Sequence, residues 1–277
     1  MCKTNYMILL VIYNMKIISW NVNGLRAAFN KDTLKQAFNE LNGDVIALQE
    51  IKCTVDQLTE NQLNYKGYSM VLESARNRKG YSGVAVYVRA GINYKVLHTT
   101  IGDKDFYDEE GRTIVLEFDN FFLINCYWPN GGKSPEHYDY KLKYYDKFFA
   151  LAKKLETGLG DKFGKPVIFL GDVNATNTDI DLARPKENKD KLGCTEPERT
   201  RLANFYKNFI DTYRYINGDR IQYTWWDMKT RSREKNVGWR IDYIYTSQSL
   251  KDKIKNATIE DQAMGSDHCP ITLDIDL

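Results

Sequence analysis

The sequence predicts an α/β fold in a single domain. Three observations lead there. Short apolar runs of strand length recur along the chain, segments with helical spacing lie between them, and no Pro/Gly/Ser-rich linker, repeat or low-complexity tract divides the 277 residues. In chain order the strand-like runs are KIISW (about 16–20), DVIALQ, SGVAVYVR, TIVLEF, FFLINCY, PVIFLGD, WRIDYIY and ITLDIDL. Each is rich in the β-branched and aromatic residues that suit a strand. The clearest helix begins at Ser134-Pro135-Glu136, with Pro in its first turn. Beyond it Tyr138, Leu142, Tyr145, Phe149 and Ala152 recur at three- to four-residue steps, which predicts an amphipathic helix lying on a sheet.

A hydrophobic fraction of 43% and a charged fraction of 27% exclude disorder and collagen-like repetition. The net charge of +2 is too small to indicate nucleic acid by itself, so any basic footprint must be local. Five scattered cysteines without a CxxC pair read as reduced thiols, and with them a cytoplasmic protein, nucleoid-associated if the cell is prokaryotic. The apolar stretch YMILLVIY is far shorter than the roughly 20 residues that span a bilayer, so no membrane partner is expected. The single domain is expected over 15–277. Residues 1–14 read as a short appendage, or as a misassigned start ahead of Met15.

Several strand-like runs end on a polar residue: SWN at Asn21, ALQE at Glu50, INCYWPN from Tyr127 to Asn130, and IFLGDVN at Asp172 and Asn174. Such endings predict strand tips converging on one polar site held by a rigid scaffold. Asp242 in WRIDY and the pair Asp267-His268 in GSDHCP complete the candidate set. His268 is one of only three histidines, too few for a zinc hydrolase centre, and the donors are mostly oxygens. A hard cation, Mg²⁺ or Mn²⁺, fits them best. GLGDKFGKP lacks the residues of a phosphate-binding P-loop, and GYSGV lacks the spacing of a serine-hydrolase elbow. Hydrolysing a phosphate ester requires neutralised phosphoryl oxygens, an activated water and a stabilised leaving oxygen. Glu50 and Asp267 with Asn21 can serve the first or last need. Asp172, fixed by Asn174, can handle a proton. His268, if held by a carboxylate such as Asp242, can donate to a phosphate oxygen as a cation. The inventory is that of a metal-assisted phosphodiesterase.

The strings SWNVNGLRA, LQEIK, GYSGVAVY, YWPNGG, GDVNAT, YTWW, NVGWRIDYIY and GSDHCP occur in this order. Together they resemble the exonuclease III-type AP endonucleases of the endonuclease/exonuclease/phosphatase superfamily, from about Met15 to Leu277. The resemblance implies a four-layer α/β/β/α sandwich with two mixed sheets packed face to face. It implies Asn21, Glu50 and Asp267 as the metal region, with Asp172 and Asn174 as further metal candidates. Asp172 would activate the attacking water, oriented by Asn174. His268, supported by Asp242, would stabilise the pentacovalent state, and Tyr127 and Asn130 would hydrogen-bond the scissile phosphate. The implied activity is Mg²⁺-dependent cleavage 5′ to abasic sites in duplex DNA, with 3′–5′ exonuclease and 3′-end trimming. Mn²⁺ would substitute for Mg²⁺, blocked 3′ ends would also be substrates, and the protein would act as a monomer.

The segment YTWWDMKTRSREKNVGWR interleaves Trp225, Trp226 and Trp239 with Lys229, Arg231, Arg233, Lys235 and Arg240. Cations suit phosphates, and rings suit an exposed sugar or base face. By resemblance Trp225, Trp239 and Ile241 line a pocket for an extruded deoxyribose, too small for a base. Arg26, Lys52 and Tyr81 match positions that contact the DNA backbone. Lys133 and Lys229 stand where some relatives place a wedging side chain, and lysine there favours phosphate contact. A phosphodiesterase or phosphatase acting on lipid or inositol phosphates is the alternative, but it would need an apolar membrane-facing loop. A DNA-binding protein without catalysis would lack one of Glu50, Asp172, Asn174, Asp267 or His268, and all are present.

Overall fold

The computed structural model describes residues 13–31, 33–101, 108–159 and 162–277. The strands are β1 (Asn14–Asn21), β2 (Val45–Gln49), β3 (Tyr68–Glu73), β4 (Val84–Arg89), β5 (Lys95–His98), β6 (Thr113–Glu117) and β7 (Phe122–Tyr127). They continue as β8 (Gly158–Leu159), β9 (Lys162–Phe163), β10 (Val167–Asp172), β11 (Phe209–Asp211), β12 (Asp242–Ser247), β13 (Ile254–Ile259) and β14 (Ile271–Asp276). The helices are α1 (Leu25–Asn30), α2 (Thr33–Leu41), α3 (Glu60–Leu63), α4 (Pro135–Thr157), α5 (Pro185–Asn188), α6 (Glu196–Asn208) and α7 (Thr212–Asn217).

Two six-stranded sheets result, ordered β13-β14-β1-β2-β4-β3 and β11-β12-β10-β7-β6-β5. Each contains one central parallel pair, β1 with β2 and β7 with β10, and antiparallel pairs elsewhere. Side chains alternate between two environments, as the period of a strand requires. Ile17, Val45, Ala47, Val84 and Val86 of the first sheet share a core with Ile114, Leu116, Leu123, Ile168 and Leu170 of the second. The intervening Ile18, Trp20, Ile46, Leu48, Ala85 and Tyr87 pack outward against Leu25, Phe29, Leu34 and Phe38 of α1 and α2. On the other side Ile124, Val167, Phe169 and Tyr245 pack against Tyr145, Phe148, Leu202 and Phe205 of α4 and α6. The layers run helix, sheet, sheet, helix, as expected.

A polar bridge crosses the inter-sheet core. Asn125 of β7 donates through Nδ2 to Leu48 O (3.1 Å) and Ala85 O (2.9 Å). Its Oδ1 accepts from Gln49 Nε2 at 2.7 Å, and Gln49 also donates to Ser19 Oγ at 3.1 Å. Buried amides are stable when paired in this way.

All eight strand-like runs are strands. The sequence reading missed β3, β5, β11, β13 and the two-residue strands β8 and β9. The helix predicted from Ser134 is α4, with Ser134 accepting from His137 N and Pro135 at its first position. Its buried face, however, is turned from the predicted one: Lys141, Tyr144, Tyr145, Phe148, Leu151, Ala152 and Leu155 are buried, while Tyr138, Leu142 and Phe149 flank them half-exposed. The offset arises because position 141, a lysine, points inward. Residues 1–12 of the expected appendage lie outside the described residues. Tyr13 pairs with Leu277 through both backbone bonds (3.1 and 3.0 Å), and Asn14 opens β1 opposite Asp276. Among the described residues no helix is long and apolar enough to cross a membrane.

Candidate active site

The four parallel-paired strands β1, β2, β7 and β10 deliver their C-terminal ends to one rim, and β12 and β14 begin there. This brings Asn21, Glu50, Tyr127, Asp172, Asp242 and His268 together. Gly171 makes the approach possible. Its φ is +135°, and a Cβ there would lie 1.8 Å from Cys126 O of the neighbouring strand, so only glycine allows Asp172 this placement. Asn23, Glu50, Lys52 and Asn174 all hold positive φ between 47° and 58°. Non-glycine residues in that region carry strain, and its concentration here is typical of a site that needs specific side-chain directions.

One ligand atom from each of Glu50, Asp172 and His268 lies within 4.8 Å of the others. Asn21 Nδ2 bridges the two carboxylates, donating to Glu50 Oε1 and Asp172 Oδ2 at 2.9 Å each. Asp172 Oδ1 accepts from the Asn174 backbone at 2.8 Å. The Asn174 amide donates to Trp128 O (2.9 Å) and accepts from Asn130 Nδ2 (3.0 Å). His268 Nδ1 contacts Asp242 Oδ2 at 2.8 Å, which leaves Nε2 facing Asp172 Oδ2 at 3.8 Å. Asp267 stands one step aside, accepting from Asn23 Nδ2, Ser266 Oγ and Trp225 Nε1 at 2.9, 3.1 and 3.1 Å.

Electrostatics follow from burial and crowding. Burial, with Asp242 and Glu50 adding to it, pushes the Asp172 carboxyl up to about 8. Burial opposes the His268 cation, but Asp242 and Asp172 outweigh it and raise the imidazole to about 10. Glu50 is desolvated too, yet the Lys52 ammonium at 2.8 Å and the Asn21 amide keep its carboxyl below the usual value. Burial lifts the Tyr127 phenol well above its ordinary value, and Arg112, 4.6 Å from the ring centroid, works against that. Three carboxylates (Glu50, Asp242, Asp267) and the Asp172 carboxyl thus share a small volume with one imidazole and one ammonium. That excess of negative charge, offered through oxygens, suits a divalent cation.

Trp225 and Trp239 pair through reciprocal 2.9 Å backbone bonds. Their half-buried rings meet edge to face at 6.2 Å, and the Trp225 ring lies 6.5 Å from that of His268. Ile241 is buried nearby, two residues on from Trp239. An apolar wall therefore adjoins the polar cluster. Arg26, Asn130, Lys133 and Lys229 are exposed. Tyr81 accepts from Arg112 Nη2 at 3.2 Å, and the Arg78 guanidinium lies 4.9 Å from its ring centroid. Two basic residues read as phosphate-facing are committed elsewhere. Arg240 is buried, with Nε on Asp181 and Nη2 on Asp211, both at 2.8 Å. Arg233 donates to Asp261 O and Ala263 O (2.6 and 2.7 Å) and lies 4.5 Å from the ring centroid of Trp226, itself a core residue. The local footprint shrinks to Lys229, Arg231 and Lys235.

Sequence reasoning missed Asn23 and Arg112. Asn23 links Asp267 to Lys52 (2.5 Å), and its spacing from Asn21 in NVN was a usable signal. Arg112 donates to Tyr127 O at 2.9 Å and has no local motif.

The profile of the endonuclease/exonuclease/phosphatase family matches residues 18–268. The chain belongs to this family. Among relatives in it, an exodeoxyribonuclease of Bacillus subtilis is 37% identical over 268 residues, covering 95% of this chain and 100% of that protein. A DNA-(apurinic or apyrimidinic site) endonuclease of Dictyostelium discoideum is 39% identical over 95% of this chain and 71% of its own length. A 3′ phosphatase from Neisseria, solved bound to a product DNA hairpin, superposes with a TM-score of 0.82 at 26% identity, covering 95% of this chain and 100% of that one. The α/β fold of this chain matches that of the solved structure.

Proposed function

We propose that residues 15–277 form the catalytic domain of a Mg²⁺-dependent DNA repair nuclease. It cuts the phosphodiester bond 5′ to an abasic site in duplex DNA, with 3′–5′ exonuclease and 3′-end trimming at the same centre. The observation that carries this reading is the placement of Glu50, Asp172 and His268 within 4.8 Å of one another beside the Trp225–Trp239 wall. Asn21, Glu50 and Asp267 are the proposed Mg²⁺ ligands, with Asp172 and Asn174 as further candidates and Mn²⁺ as a substitute ion. The ion, when bound, supplies charge neutralisation at a phosphate or leaving oxygen. Asp172, whose raised pKa suits a proton acceptor near neutral pH, takes the proton of the attacking water that Asn174 orients. The water oxygen bonds phosphorus, and the bond to the 3′ oxygen breaks. His268, cationic and held by Asp242, donates to the phosphate, as do Tyr127 and Asn130. Arg26, Lys52, Tyr81, Lys133 and Lys229 face the DNA backbone, and Trp225, Trp239 and Ile241 receive the extruded sugar. The partner is double-stranded DNA with abasic sites or blocked 3′ ends, bound by a monomer. A cytoplasmic placement agrees with the four described cysteines, all buried and unpaired.

The test is a duplex carrying one tetrahydrofuran abasic analogue, incubated with Mg²⁺ or with EDTA. Nicking that requires Mg²⁺ is expected. No nick with Mg²⁺, or equal nicking in EDTA, rejects the proposal. Trp239→Ala should slow abasic nicking about tenfold more than 3′-end trimming, in line with the ~1–3 kcal/mol that one aromatic contact contributes. Equal losses in parallel assays would remove Trp239 from the pocket.

A further inference from the structure

The turn carrying Asp172 and Asn174 is tied down through three successive carbonyls. Val173 O accepts from Tyr145 OH at 2.7 Å, Asn174 O from Lys141 Nζ at 2.9 Å, and Ala175 O from Tyr243 OH at 3.1 Å. The middle tie is unusual. Lys141 on α4 has no solvent exposure, and neither has Glu198 on α6, whose Oε1 it contacts. Glu198 Oε2 in turn accepts from Gly193 N (2.8 Å), Thr195 N (3.0 Å) and Thr195 Oγ1 (2.7 Å). Gly193 O accepts from Thr176 N at 2.8 Å. Gly193 also abuts the pocket wall, since a methyl there would lie 2.9 Å from Trp239 Cζ3. One ammonium–carboxylate contact therefore runs from the catalytic turn to the base of the Trp239 ring.

Burying such a pair gains little stability, because desolvation offsets the attraction and apolar replacements often do as well. A role in placement accounts for it better. We propose that Lys141 and Glu198 are positioning residues that hold the Asp172–Asn174 turn in register with the Trp239 wall. This rests on the nuclease reading of the site. The pair touches no substrate; it acts through the Asn174 carbonyl and the Gly193 amide.

The experiment compares kcat, KM and Tm of wild type, Lys141→Met, Lys141→Arg and the double variant Lys141→Met/Glu198→Gln on the tetrahydrofuran duplex with Mg²⁺. Lys141→Met leaves a lone buried carboxylate and should lower Tm and kcat together. The double variant removes both charges and keeps an acceptor for Gly193 and Thr195, so its Tm should return to within about 3 °C of wild type. Its kcat should stay about 10- to 100-fold low, the cost of a misplaced catalytic group, with KM within about threefold. Lys141→Arg, which restores charge and donors, should recover kcat. If the double variant regains wild-type kcat along with its Tm, or a well-folded Lys141→Arg is as slow as the double variant, the proposal is overturned. Should the double variant lose its cooperative transition, Lys141→Gln takes its place: a low kcat supports the positioning role, and a wild-type kcat overturns it. Wild type in the same assay separates the failures. Absence of wild-type nicking counts against the nuclease reading, whereas wild-type nicking matched by the double variant counts against the positioning pair alone.

Discussion

Asp172→Asn is expected to lower single-turnover nicking of an abasic duplex by about 10³-fold, within the range that loss of a proton-transfer group produces. The replacement keeps the shape of the side chain, and its Oδ1 can still accept from Asn174 N, now 2.8 Å away. What it cannot do is take a proton. Above about pH 8, where Asp172 is ionised, it also removes a negative charge from a cluster that already holds Glu50, Asp242 and Asp267. Abasic-duplex binding, measured by fluorescence anisotropy in EDTA, should therefore be held or tightened. Binding lost in step with activity would instead mark Asp172 as a structural carboxylate, and the assignment of the base would move.

The second large effect lies away from the chemistry. Asp181 is buried and receives both Arg240 Nε (2.8 Å) and Arg214 Nη2 (2.5 Å). Asp181→Asn should destabilise the protein by about 3–5 kcal/mol, because two guanidinium groups lose a counter-charge they cannot exchange for water. Denaturant unfolding at pH 7 measures it; a loss under about 1 kcal/mol would show that Asp211 alone satisfies Arg240. The same residue sets an acid limit. Although burial opposes its charge, Arg240 and Arg214 hold the Asp181 carboxyl down to about 2. A depressed carboxyl contributes stability above its unfolded pKa of roughly 3.9 and loses it as pH falls through the folded value. About 2 kcal/mol of wild-type stability should therefore disappear between about pH 4 and pH 2, and the gap between wild type and variant should narrow by about that much over the window.

The unequal legibility of the fold has a geometric cause. The eight strands readable from sequence are the inner strands of the two sheets, flanked by neighbours on both sides. The four longer strands that escaped, β3, β5, β11 and β13, are the four sheet edges. An edge strand is partly open to solvent, so IKNATI and KVLH carry polar residues that blur the pattern. At the site, groups at strand tips were legible because an Asn, Glu or Asp ending an apolar run breaks a local rule. Lys141 was not, since a lysine on an amphipathic helix reads as solvent-facing and only the fold reveals Glu198 opposite it. Arg240 failed in the reverse sense: a cation beside tryptophans looked ready for phosphate, but Asp181 and Asp211, far off in sequence, had claimed it. Pairings at long range in the chain leave no spacing to read.

The amide bridge from Asn125 to Leu48 and Ala85 bears on how the groups proposed for the reaction would work together. Glu50 and His268 come from one sheet, Tyr127, Asp172 and Asp242 from the other. The bridge and the shared core tie the two sheets together directly beneath these groups. The entropy of arranging them is lost once, when the chain folds, and does not recur at each turnover.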